Sequence, residues 1–259
     1  MNQVELLALY DQEQRYEVTF PGFRREAVGS VVRYVEERPF SDTNFVLHSR
    51  LTTDNADAVI QTQIDYFREN GRSFEWKLYT HDTPPDLRQR LEAHGFIIGE
   101  EEAIMALDLT QTPDVLLQPV TANVRRLTEP AEVADVVEIE EAVWGDDLSS
   151  WGERLTAEMR EAPDFLSIYV AYADGKPACA GWLNFSPNSQ FASLWGGSTR
   201  VEYRQRGLYT AVLAARVQEA ISRGYRFLTI DASPMSRPIV TRHGFQLLTL
   251  AYECNWKLE

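Results

Sequence analysis

The chain has 259 residues, 44% hydrophobic and 25% charged, enough for one large domain or two ordinary ones, each with its own core. Its formal charge of −14 argues against nonspecific nucleic-acid binding, which needs a basic surface, and no apolar run is long enough to cross a bilayer. Cys179 and Cys254 are the only cysteines, too few for a disulfide framework or a cysteine metal site, and the charged N-terminus does not read as a signal peptide, so a cytoplasmic protein without a metal is expected.

Residues 2–17 predict a helix, with Val4, Leu7, Leu9 and Tyr10 apolar. β-Branched content predicts strands over 27–35 and 44–50. Thr53 or Asp54 can cap a helix that runs to Asn70 and stops at Gly71. FEWKLYT from Phe74 alternates as a strand, Pro84-Pro85 opens a short helix over 86–94, and a strand long enough to contain a turn or bulge follows Gly95-Phe96. Residues 109–123 carry two prolines and no period, and read as a linker with an apolar patch at Val115–Leu117.

Val124–Leu127 predicts a strand, Pro130–Val143 a helix, Trp144–Trp151 an acidic aromatic loop and Glu153–Glu161 a second helix. Phe165–Tyr172 alternates as a strand, and Asp174-Gly175 is a hairpin signal leading into the strand Ala178–Phe185. From Phe191 a strand ends irregularly at Gly196-Gly197. A basic loop follows, Arg204-Gln205-Arg206-Gly207, then a helix with Leu213, Val217, Ala220 and Ile221 on one stripe. A strand over 226–231, a short helix over 236–243 and a last strand over 245–257 complete the chain.

Strand, tight basic loop and helix N-terminus make a site for a phosphate-bearing ligand at residues 204–210. Free backbone N–H groups and the helix dipole favour an anion there, and glycine permits close approach. The charge distribution agrees. Residues 1–118 hold 11 Lys+Arg against 21 Asp+Glu, whereas 200–226 hold Arg200, Arg204, Arg206, Arg216, Arg223 and Arg226 against only Glu202 and Glu219. A solvated helix face would account for the same run of charge. A faint internal repeat adds to the pattern: Gly71 to Phe74 and His94-Gly95-Phe96 match Gly224 to Phe227 and His243-Gly244-Phe245, a spacing that suggests duplication of a whole domain.

VEYRQRGLYTAVL, followed by FLTIDAS and RHGF, resembles the acyl-CoA-binding core of the GNAT acetyltransferase superfamily, whose loop reads Q/R-x-x-G-x-G/A. Arg204, Gly207 and Tyr209 fall on the three marked places, so the third carries an aromatic. Tyr209 either crowds the pyrophosphate or stacks along the pantetheine, and its N–H stays available in both cases. No G-x-G-x-x-G or G-K-[ST] supports a Rossmann or P-loop reading. The resemblance implies an α/β class with a mixed sheet and two GNAT-like folds in tandem. It places a degenerate copy at 1–110, a linker at 111–121 and an acetyl-CoA-binding domain at 122–259. The first copy's loop equivalent, Leu51–Asp57, has neither arginine nor glycine.

What the resemblance implies chemically is direct acetyl transfer from acetyl-CoA to a primary amine, on a small molecule or peptide, with no nucleic acid or membrane partner. Gly197, Thr199 and Val201 would line the pantetheine, and Arg204, Gln205, Arg206, Gly207, Leu208, Tyr209 and Thr210 the pyrophosphate. A strand N–H would stabilise the thioester oxyanion. The tyrosine that commonly protonates the leaving thiolate is replaced by Val240, leaving Ser236 as a stand-in and His243 as a titratable neighbour. Glu140, Glu141, Asp146 and Asp147 lie where acceptor sites are often built. With Trp144 and Trp151, Glu141 would favour a cationic amine, though a solvated helix end explains the acids equally. Trp182, Trp195 and Cys179 read as sheet or core residues. A CoA-binding sensor that has lost its chemistry is the alternative, and the first half could serve as a homodimer interface or an acceptor lid.

Overall fold

Gly29, at φ +59°, turns the chain between β1 (Phe23–Val28) and β2 (Val31–Glu36), an antiparallel hairpin where the pattern suggests one strand over 27–35. The computed structural model describes residues 1–39 and 43–258. They fall into two compact units. Unit 1 is Met1–Met105 with Ala232–Pro238 and Leu247–Glu259, and unit 2 is Ala106–Asp231 with Ile239–Gln246.

Unit 1 opens with α1 (Gln3–Tyr10), where Asn2 and Glu5 form a capping box. A π-helical segment, Asp11–Tyr16, extends it and buries Arg15 against Asp11 and Asp82, each at 2.7 Å. After the hairpin come β3 (Phe45–Ser49), α2 (Ala56–Glu69), β4 (Phe74–Tyr79), α3 (Leu87–Ala93) and β5, which runs Ile97–Asp108 without a turn. The sixth strand of this sheet is β11 (Gln246–Trp256), from the far end of the sequence. The order is β1-β2-β3-β4-β11-β5, with β3 and β4 parallel and β11 antiparallel to β4 from Ala251↔Tyr79 to Trp256↔Phe74. Ile60, Ile64 and Phe67 of α2 and Leu91 of α3 close over Phe74, Trp76, Phe96 and Trp256. Each such side chain contributes about 1.5–3 kcal/mol of burial.

Unit 2 contains β6 (Val124–Arg126), α5 (Val133–Trp144), α6 (Ser149–Glu161), β7 (Leu166–Ala173), β8 (Lys176–Phe185), β9 (Phe191–Thr199) and α7 (Leu208–Ser222). β10 (Phe227–Ala232) and α8 (Arg237–Arg242) follow. The strand order is β10-β9-β8-β7-β6, parallel between β10 and β9 and antiparallel elsewhere. Asp174 and Gly175, both at positive φ, make the β7–β8 turn as the sequence indicates. α6 starts at Ser149, so Trp151 is helical and not part of a loop. The stretch after Leu109 is ordered: it carries α4 (Asp114–Leu117), whose Leu116 is buried while Val115 and Leu117 are exposed. Gln218 of α7 holds it, donating to the carbonyls of Leu116 at 2.9 Å and Gln118 at 2.8 Å.

The repeat seen in the sequence is stereochemical. Gly71 and Gly224 both stop a long helix at positive φ, and the next N–H returns to the helix, from Arg72 to Phe67 at 2.9 Å and from Tyr225 to Ala220 at 3.0 Å. Gly95 and Gly244 do the same for the short helices, through Phe96 to Leu91 and Phe245 to Val240. The phenylalanines of all four matched segments are buried.

Candidate active site

β9 does not end at its glycines. It continues to Thr199 through a bulge: Gly181 pairs with Gly196 and Ala180 with Ser198, leaving Gly197 opposite no residue. Both glycines hold positive φ, +68° and +98°. A Cβ on Gly196 would lie 2.3 Å from the Trp182 ring, and one on Gly197 2.9 Å from the Tyr209 ring. Two aromatics therefore close on the bulge. Behind it, fully buried Arg216 of α7 donates to the carbonyls of Trp182 at 3.3 Å and Trp195 at 3.1 Å, joining β8 to β9 where the ladder is interrupted. No carboxylate among the described residues pairs with it, and burial pushes its pKa down. In the sequence Arg216 is one of six arginines in 200–226, and what sets it apart is its place beside Leu213 and Val217 on the apolar stripe.

The loop leaving β9 makes a short 3-10 turn, Val201–Tyr203, with Val201 exposed and Tyr203 buried. Gln205 and Gly207 then take positive φ, +61° and +77°, and Gly207 caps α7 without any side-chain hydrogen bond. Buried Leu208 anchors the first turn. The helix ladder starts with the Ala211 N–H on the Gly207 carbonyl at 3.0 Å. Among the described residues, nothing accepts from the N–H groups of residues 205–210.

The arginines divide sharply. Arg200 pairs with Glu138 and Glu202, Arg206 with Asp174, Arg223 with Glu219 and Arg226 with Asp108. Arg204 is exposed and, among the described residues, donates only to the Thr199 carbonyl, at 3.1 Å. Among the described residues, the local reversal of sign thus narrows to one exposed arginine without a carboxylate, beside six N–H groups with no acceptor. Thr210 lies 3.4 Å from His243 Nε2, and burial holds that imidazole below its usual pKa. Burial raises the Tyr209 phenol.

α5 and α6 bring the aromatic and acidic candidates to the other side of the bulge. Glu140, buried, accepts at one oxygen from Ser198 Oγ at 2.7 Å and from the Trp144 indole at 2.9 Å. Its second oxygen is buried without a partner among the described residues, and burial raises its pKa. Trp151 packs on Trp182, ring centres 5.4 Å apart. Trp144 therefore reaches the bulge through Glu140, and Trp151 reaches it through Trp182. Glu141 accepts instead from the Leu148 N–H at 3.1 Å, bracing the turn into α6, and lines a groove of about 440 Å³ with Val137 and Gly152. Glu140, not Glu141, is the acid held at the bulge; the sequence places both on one helix and cannot say which turns inward.

Ser236 belongs to unit 1, where its hydroxyl engages Ser233 at 3.2 Å. Val240 is fully buried, so no acid stands at that position. Cys179 is also buried, its thiol pushed up to about 11. Among the described residues no group of three or more His, Cys, Asp or Glu could hold a metal, and no helix is long and apolar enough to cross a membrane.

The helix of unit 1 that corresponds to α7 begins differently. Before α2, Asn55 Oδ1 accepts from the Thr52 N–H at 2.8 Å, and the Thr52 oxygens accept from Asn55 and Ala56. Asp57 in its first turn is paired with Arg90 and His94. The N–H groups of Thr52, Asn55 and Ala56 are thus bonded in the turn before α2, whereas those of 205–210 leading into α7 have no acceptor among the described residues, and neither helix has a side-chain cap.

Residues 135–245 match the model of the acetyltransferase (GNAT) family. No curated protein is similar in sequence. Among solved structures, a GCN5-related N-acetyltransferase from Kribbella flavida is similar over 98% of this chain and 95% of its own, at 15% identity and a TM-score of 0.68. A functionally unknown protein from Staphylococcus epidermidis is similar over 94% and 99%, at 12% identity and 0.65. A tandem GNAT protein from the clavulanic acid biosynthesis pathway is similar over 93% and 85%, at 13% identity and 0.63. The family match lies at 135–245, within the second half of the chain, and the fold of almost the whole chain is one found in GNAT proteins, tandem ones included.

Proposed function

We propose that this protein is a cytoplasmic N-acetyltransferase that moves an acetyl group from acetyl-CoA to a primary amine, with the donor held only by the domain at 122–259. The observation that carries this reading is the uncapped start of α7: among the described residues, six N–H groups without an acceptor, positive-φ Gly207 and Arg204 without a carboxylate partner. A diphosphate fits that chemistry, since the N–H groups and the dipole favour an anion and Arg204 adds charge-assisted bonds. Gly197, Thr199 and Val201 would flank the pantetheine, with Gln205, Arg206, Leu208, Tyr209 and Thr210 around the diphosphate. Acetyl-CoA bound there supplies the activated thioester. An N–H at the bulge would stabilise the oxyanion; such a donor is worth about 3 kcal/mol of barrier. Trp144 and Trp151, with acids nearby, favour a cationic acceptor. In the corresponding turn before α2, Asn55 and Thr52 bond the local N–H groups and Asp57 puts a carboxylate in the first turn, which supports assigning 1–110 no donor site.

Titration with acetyl-CoA tests the reading. The wild type is expected to bind, and the Arg204→Glu, Gly207→Trp double variant to lose at least about tenfold in affinity, since a hydrogen bond to a charged group is worth roughly 1.5–3 kcal/mol. Unchanged binding would sink the proposal. Buried Val240 in place of the expected acid favours a second reading, a catalytically silent acyl-CoA sensor. A panel of primary amines, assayed for released CoA thiol, separates the two: silence across the panel alongside tight binding selects the sensor.

A further inference from the structure

We infer that Glu140 and Ser198 form the relay that takes the proton from the acceptor amine, an inference that rests on the transferase reading above. Ser198 follows the unpaired Gly197 of the bulge and is partly exposed, so its oxygen keeps lone pairs free while its O–H is directed to Glu140. Glu140 reaches it from α5, a different element, at 2.7 Å. The Trp144 indole donates to the same carboxylate oxygen at 2.9 Å, a second bond that favours this orientation of the acid. A buried carboxylate whose second oxygen has no partner is costly to the fold. Such an expense, adjoining the strand irregularity where the acyl group would lie, is the mark of a working group.

The relay balances. As the neutral amine nitrogen bonds to the acyl carbon and the carbon–sulfur bond breaks, the nitrogen gives its proton to Ser198 Oγ, and the Ser198 proton passes to Glu140 Oε2. The sulfur departs with the bonding electrons and takes a proton from solvent, consistent with the absence of an acid at Val240. Glu140 then returns its proton to solvent through the same hydroxyl. Burial raises the basicity of Glu140, as the role requires. From β8 the titratable neighbour is Cys179, whose raised thiol stays neutral; Ser198 faces it from β9 and Trp144 from its own helix.

Two measurements test this in the full-length protein. In the first, the emission of Trp144, taken as the difference between wild type and Trp144→Phe, is followed against pH without ligand. A midpoint above the ordinary carboxylate range, lost in Glu140→Gln, is expected; a midpoint that survives in Glu140→Gln, or none, overturns the contact on which the relay stands. In the second, the best amine of the panel is used with acetyl-CoA. Glu140→Gln is expected to lose about 100-fold in kcat, together with the acid limb of the rate profile, while its affinity for acetyl-CoA is unchanged. Ser198→Ala should fall likewise and Ser198→Thr recover. A fast wild type with a Glu140→Gln variant within threefold of it overturns the relay alone. A wild type that binds acetyl-CoA but transfers to no amine overturns the transferase reading, and the relay with it.

Discussion

Gly196 and Gly207 share a positive φ but not its surroundings. At Gly207 a Cβ would meet nothing within 4 Å, so alanine there adds backbone strain alone, about 1 kcal/mol. At Gly196 the same Cβ would sit 2.3 Å from the Trp182 ring, and strain and overpacking combine to about 3 kcal/mol. Urea unfolding midpoints of the two variants should rank in that order; equal midpoints would mean that Trp182 gives way freely. Glu140 carries a prediction of opposite character. Its folded pKa is raised, so it opposes folding most once it must ionise. Stability is lost to this group as pH rises from the unfolded carboxyl value through the raised folded one. Glu140→Gln should therefore gain in melting temperature relative to wild type on going from pH 4 to pH 7, and a constant difference would refute the linkage. Composition made the loop glycines and Arg204 visible beforehand. Glu140 and Arg216 were not distinguishable from their neighbours, because whether a charged side chain turns inward is decided by tertiary packing and not by helical period.

Most helices and strands could be read from periodicity, since each buries one face against one core. The misreadings share a cause. The β1–β2 hairpin turns on Gly29-Ser30 between two β-branched runs, so the apolar run continues across the turn. The sequence pattern ends β9 at Gly196-Gly197 because glycine marks a strand end and a bulge alike. α6 gained a turn at its start because nothing in Ser149-Ser150-Trp151 shows that the helix is already under way. The partner of β11 was beyond any local pattern, since only tertiary structure brings Trp256 beside Phe74. That pairing can be measured. Removing residues 246–259 strips β4 of its antiparallel neighbour and takes Cys254 and Trp256 out of the unit 1 core. Amides of β4 should then lose most of their hydrogen-exchange protection; retention would mean that another strand can take the vacated place.

At the scale of the molecule, the two units repeat their helix stops and differ at their helix starts. Stopping a helix with glycine is a requirement of folding, whereas the N–H groups leading into α7 have no acceptor among the described residues and are left to water or to an anion. The acidic total of the chain said little about this. The decisive charge is one arginine, Arg204, whose significance comes from its neighbours being paired.

The position of β11 also bears on how the protein is made. A ribosome releases β4 and β5 well ahead of the strand that belongs between them, since the whole of β6 to α8 must emerge before β11 does. At roughly 5–20 residues per second, the nascent sheet waits many seconds with an unsatisfied edge. The chain therefore cannot mature strictly from its beginning. Unit 1 is completed only once β11 has emerged, and until then it depends on whatever shields exposed strands in the cell.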